Sequence, residues 1–287
     1  MRLTEIQRHM ASMRELNDIV GAMRSLAGMR LQETQQALPG IRRYGESVAQ
    51  AVGAALLLMP PPEPASLPDH GARAIILCAV EHGFVGGFNE RLVEAALAAL
   101  ESHDQFFVLG SRGAGLAFER GQRVTWSHST ASRVAGVPDV INTLARELYR
   151  RIARGEISRV EVIFGRYHQG SESAIERRLL LPLDARSLEL PQPSQPGLHN
   201  LRPGLLLEKL IEEYVFALLT EAAVESIASE NAARFAAMES AHDNISKKLP
   251  ELSQEARVAR QAEITSELLD LVVGAEAART ALESKGQ

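Results

Sequence analysis

The sequence predicts an α/β protein in which a sheet domain is inserted between two long terminal helices that wind together as an antiparallel coiled coil. Three observations carry this. Apolar residues recur every three or four positions over residues 3–59 and again over 203–282, which is the helical and heptad-like period. Between these stretches the period changes, and short apolar runs alternate with amphipathic segments, as in a mostly parallel sheet with crossover helices. The last stretch is also too long for a small sheet: some seventy helical residues span roughly 105 Å at 1.5 Å each. Its apolar stripe needs a partner helix along its length, and the N-terminal segment is the available one.

The first segment, 1–59, places Leu3, Ile6, Met10, Met13, Leu16, Val20, Met23 and Ala27 on one seam. "LPG" (38–40) predicts a kink or short break, because proline removes a backbone hydrogen bond and clashes with the preceding turn. Pro60, Pro61, Pro62, Pro64 and Pro68 end the segment.

The middle segment, 70–190, begins with "ARAIILCAV" (72–80), an apolar run suited to a buried strand. "NERLVEAALAALES" (89–102) predicts an amphipathic helix with Asn89 as its N-cap. "QFFVLGSRG" (105–113) and "GQRVTWS" (121–127) read as strands, followed by a helix over 138–154. "SRVEVIFGRYH" (158–168) and "SAIERRLLLPL" (173–183) complete the sheet, and "PQPSQPG" (191–197) is a proline-rich connector.

The last segment, 203–287, keeps the helical spacing through Leu210, Tyr214, Ala217, Val224, Ala228, Phe235, Met238, His242, Ile245, Leu249 and Leu252. Its stretch "SENAARFAAMESAHDN" (229–244) is rich in alanine, and small side chains let two helices approach closely.

Composition narrows the function. The chain has 287 residues, 45% hydrophobic and 23% charged, in the ordinary globular range. A net charge of −5 argues against a general nucleic-acid surface. The single cysteine, Cys78, excludes an intramolecular disulfide and an all-cysteine metal cage. The N-terminus reads as amphipathic and not as a signal peptide, and no apolar run reaches bilayer length, so a membrane is expected only through partners. The glycine turn "EHGFVGGFN" (81–89) lies between strand and helix but lacks G-x-G-x-x-G, and G-K-[ST] is absent. A tight turn needing positive φ is the favoured reading over nucleotide binding. The eight histidines show no metal-ligand spacing, and His242 falls on the helical seam. No catalytic grouping, cofactor site or metal site is predicted.

Two terminal stretches resemble a known family. "IVGAMRSLAGMRLQETQ" (19–35) is similar to an N-terminal I-x-x-A-M-x-x-V-A pattern. "SENAARFAAMESAHDN" is similar to S-E-x-A-A-R-M-x-A-M-x-x-A-x-D-N, and "RQAEITSEL" (260–268) follows with the family's spacing as R-Q-x-x-I-T-x-E-I. Both patterns, and "GFVGGFN" beside G-L-C-G-G-L-N, look like the gamma subunit of F-type ATP synthases. The resemblance implies an antiparallel coiled coil with a Rossmann-like α/β insert. Phe84 and Val85 replace Leu-Cys, Phe235 replaces a methionine, and Arg257 and Val258 stand where Asn-Arg is common. These departures suggest a divergent branch, the alternative or sodium-type synthases. Pro250 lies inside the C-terminal helix and predicts a local bend.

The resemblance implies a central-stalk rotor, non-catalytic by itself, that couples ion-driven rotation of the c ring to conformational change in the beta subunits. Implied partners are the alpha and beta subunits, the epsilon subunit and the c-subunit ring, on the cytoplasmic face of the bacterial inner membrane. Met23 and Arg24 match the position facing an acidic lever of a beta subunit. Residues 1–43 hold seven arginines against four acidic residues, opposite in sign to the whole chain. Arg260 and Gln261 match a polar pair that bonds a beta-subunit loop, with Glu267 in the same motif, and Val272 and Val273 match the tip in the apolar bearing. The rival readings are a non-ATPase coiled-coil scaffold with an α/β head, and a nucleotide-binding α/β enzyme with helical extensions.

Overall fold

The computed structural model describes residues 3–59, 71–168, 173–183 and 199–284, with side chains through residue 275. The proline-rich connectors expected over 60–68 and 191–197 lie outside the described residues. Ser25–Ala237 form one compact unit, and Met1–Arg24 with Met238–Gln287 form another. Helices α1 (Leu3–Leu56) and α5 (Pro203–Ser284) contribute to both.

The first unit is built on a sheet in the order β3-β2-β1-β4-β5. Its strands are β1 (Ala72–Cys78), β2 (Gln105–Leu109), β3 (Trp126–His128), β4 (Ile157–Arg166) and β5 (Ala174–Leu181). All pairs are parallel except β4 with β5. Strand residues alternate between faces. Ile75, Leu77, Phe106, Val108 and Ile163 meet α2 (Phe88–Ala99) and α3 (Ser111–Glu119). Ala74, Ile76, Cys78, Phe107, Val162 and Phe164 meet α4 (Val137–Ala153), α5 and Leu38 of α1.

Several expectations are corrected here. Val215, Leu219, Ala222, Ala223 and Ile227 of α5 belong to the core of the sheet, so this helix does not depend on a helical partner alone. Every residue from 222 to 231 is buried, as for a helix enclosed on all sides. No break occurs at 38–40, because α1 runs through Pro39, and burial of Leu38 with packing of Ile41 against the same core holds the turns on either side. The strand expected over 105–113 ends at Leu109, and Ser111–Glu119 fold as α3. Gly113 explains why: a Cβ there would stand 2.1 Å from that of Ala79, so its small size lets helix and strand touch. Asn89 is not an N-cap. Gly87 precedes α2, and Asn89 is buried within its first turn.

In the second unit α1 and α5 run antiparallel. Asn17 Oδ1 and His242 Nδ1 lie 2.9 Å apart, and Arg24 Nη1 donates to Glu239 Oε2 at 2.9 Å. Ile6, Val20, Met238, Ile245 and Leu252 form the buried seam. Leu16 is 46% exposed, contrary to expectation. From Met13 to Val20 a 3+4 and a 4+3 spacing are equally helical, and the chain uses the second, which puts polar Asn17 in the seam opposite His242. Phe235, in the first unit, is 39% exposed, but its ring lies beside Gly28 of α1.

Candidate functional site

The alanine-rich stretch conceals a buried polar joint within the first unit. Glu230 and Arg234, four apart on one face of α5, form a 2.6 Å ion pair with both side chains buried. Arg234 also donates to the carbonyl oxygens of His82 at 2.9 Å and Gly83 at 3.2 Å. The other carboxylate oxygen of Glu230 accepts the Glu81 N–H at 3.4 Å. One turn earlier, Ser226 Oγ donates to the Cys78 carbonyl at 2.6 Å. Ser229 is fully buried against Gly165, where an added Cβ would come within 2.9 Å of the serine Cβ. Small residues therefore let α5 approach β1 and β4, and the interspersed polar ones bond the strand ends. Reading the stretch for apolar spacing alone missed Ser226, Glu230 and Arg234; the signal was a Glu–Arg pair at i,i+4 among alanines.

The turn held by this joint has positive φ at Phe84 (64°) and Gly86 (57°). This bears out the tight-turn reading, although the first of these residues is not glycine. Glu81 anchors its start, accepting from Ser111 N–H (3.0 Å), Ser111 Oγ (2.7 Å) and Thr130 N–H (2.9 Å). Burial pushes the Glu81 carboxyl up, but these hydrogen bonds outweigh it and hold it below the usual carboxylate range. The bond to Ser111 N–H also closes the N-terminus of α3.

The expected interface residues lie in the second unit. Met23 is half-buried, and Arg24 is already paired with Glu239, its side chain one-third exposed. Arg260, Gln261 and Glu267 are exposed; the Gln261 carbonyl accepts the Thr265 hydroxyl at 2.8 Å. Along α5 the two groups are separated by roughly 30 Å of helix, from Glu239 to Arg260, so they form two patches and not one site. Beyond Ala259, every residue through 275 is exposed, including Ile264, Leu268, Leu269, Leu271, Val272 and Val273. Among the described residues no cluster of three His, Cys, Asp or Glu side chains could hold a metal, and no helix is long and apolar enough to cross a membrane. Cys78 is buried, and desolvation raises its thiol pKa to about 12.

A family model described as ATP synthase matches residues 2–278. The ATP synthase gamma chain of Histophilus somni is 25% identical over 284 residues, covering 95% of this chain and 98% of that one. The rotor of the Euglena gracilis mitochondrial ATP synthase shares the fold at a TM-score of 0.63 and 13% identity, over 91% of this chain and 98% of that chain. The central stalk/c-ring structure of the Tetrahymena thermophila mitochondrial ATP synthase does so at 0.57 and 19% identity, over 78% and 99%.

Proposed function

This chain belongs to the ATP synthase family as a gamma chain, and on that premise we propose how its parts serve a rotor. It is the central-stalk subunit of an F-type ATP synthase and is not itself a catalyst. Its partners are the alpha and beta subunits around the helical shaft, and the c-subunit ring and epsilon subunit at the sheet domain. It sits on the cytoplasmic face of the bacterial inner membrane through those partners. Residues 1–59 and 203–287 supply the shaft and 70–190 the body, with the middle of α5 shared between them.

The observation that carries this reading is the stretch of α5 from 260 to 275. It exposes six large aliphatic residues that none of the described residues covers: Ile264, Leu268, Leu269, Leu271, Val272 and Val273. A lone helix with so much apolar surface in water gains little from its own hydrogen bonds, and its burial requires another chain. Arg260, Gln261 and Glu267 flank the same stretch and give it polar contacts to a beta-subunit loop. Met23 and Arg24 supply the second patch. In turning, the shaft must present different contacts to each beta subunit, because only a difference in binding free energy between states shifts their conformations.

Co-purification tests the assignment. An affinity-tagged chain expressed in its own cells should bring down alpha and beta subunits in stoichiometric amounts. A scaffold outside the synthase would bring down neither, and that result would remove the proposal.

A further inference from the structure

We propose that the crevice between the β1–α2 turn and α3 binds a small phosphate-bearing anion. It is a cavity of about 420 Å³ at the carboxyl end of β1, the end at which open α/β sheets take ligands. Asn89 lies at its base, only 8% exposed, and its Oδ1 has no hydrogen-bond partner. A buried amide left unanswered is costly. Its oxygen and nitrogen can exchange places by rotation, so the same group can donate to an oxyanion. Asn89 and Glu90 stand in the first turn of α2, where helix N–H groups lack intrahelical acceptors. Gly87 supplies no side-chain cap, so that end remains open to an anion. Arg112 forms the facing wall, its guanidinium 3.2 Å from where a Cβ on Gly83 would lie, and it has no ion pair among the described residues.

The opposing charges are Glu90 and Glu119, which also line the crevice. Both are exposed, as Arg112 is, so all three charges are screened and mobile, whereas Asn89 is fixed. The N-terminus of α3 takes no part, since Glu81 already occupies it. An arginine fork, an amide and helix N–H groups converging on one cavity suit a tetrahedral oxyanion. Inorganic phosphate and the phosphate end of a nucleotide share that chemistry.

The test is an NMR titration of the purified full chain with phosphate, against chloride at equal ionic strength, with ADP as a parallel arm. Saturable shifts of the Asn89 and Glu90 amides are expected with phosphate. Arg112→Gln should weaken binding at least tenfold and Arg112→Lys should restore most of it, while Glu119→Gln tightens it two- to threefold. Tighter binding of ADP than of phosphate would identify a nucleotide as the source, and the reverse would identify free phosphate. Equal shifts with chloride, or unchanged binding in Arg112→Gln, would overturn the proposal.

Discussion

Arg234 gives one guanidinium to four acceptors that tie two parts of the joint together: Glu230 and Asn231 on its own helix, and the carbonyls of His82 and Gly83 on the turn. Replacing it with alanine leaves a buried carboxylate unpaired, which costs about 3–5 kcal/mol, and urea denaturation of Arg234→Ala should show a loss of that size. The double variant Arg234→Ala with Glu230→Ala should lose less than the sum of the singles, since the second change removes the stranded charge. Other carboxylates predict the acid response. Glu161 is buried but bonded to Arg177 and Arg159, and Glu176 to Arg166 and Arg178; in both, burial raises the pKa and the arginines more than reverse it. Like Glu81, they titrate below the unfolded value of about 4.3. Their stabilisation is therefore complete above that pH and disappears as the pH falls through their lower folded values. The urea midpoint should hold steady from neutrality down to about pH 5 and fall steeply below about pH 4. A midpoint that rises on acidification would contradict the sign.

At the scale of elements, the sequence was most readable where one period dominates. The strands over 72–78 and 157–166 follow from apolar runs that meet a core on both faces, and the helix over 137–153 from the spacing of its one buried face. It was least readable where packing decides between equal local choices. Asn17 took the seam in place of Leu16 since both spacings are helical, and only the approach of His242 separates them. Ser111–Glu119 folds as a helix despite three flanking or internal glycines, because Gly113 is needed for contact with Ala79. Pro39 is the clearest conflict between local preference and fold. Its ring removes a donor from an unbroken helix, and the fold tolerates it because Leu38 and Ile41 are packed. Pro39→Ala should accordingly stabilise the protein by about 2 kcal/mol, the helix-interior penalty less the entropy that proline removes from the unfolded chain. Thermal unfolding measures this. A lower melting temperature would mean that the helix must be distorted at Pro39 for Leu38 to reach the core.

For the whole molecule, the decisive asymmetry is that α5 continues past Ala259 with none of the described residues covering it through residue 275. In the free protein, amides after Arg260 should exchange with solvent far faster than those between 222 and 231, which are enclosed by sheet and helix. Strong protection of the former in the isolated chain would contradict this. Assembly should raise their protection as alpha and beta subunits close around them. The same stretch then separates folding from coupling. Arg260 and Gln261 are exposed, and among the described residues only the Gln261 backbone carbonyl is bonded, to Thr265, so Arg260→Ala with Gln261→Ala should change stability by less than about 0.5 kcal/mol. In reconstituted vesicles the same double variant should lower ion-driven ATP synthesis several-fold, because contacts that differ among rotational states are what the shaft exchanges with the beta subunits. Full synthesis by the variant would assign these residues to an ordinary solvated helix face. Lost synthesis together with a lowered melting temperature would instead place them in the fold, and only loss without destabilisation fits a contact surface for the surrounding subunits.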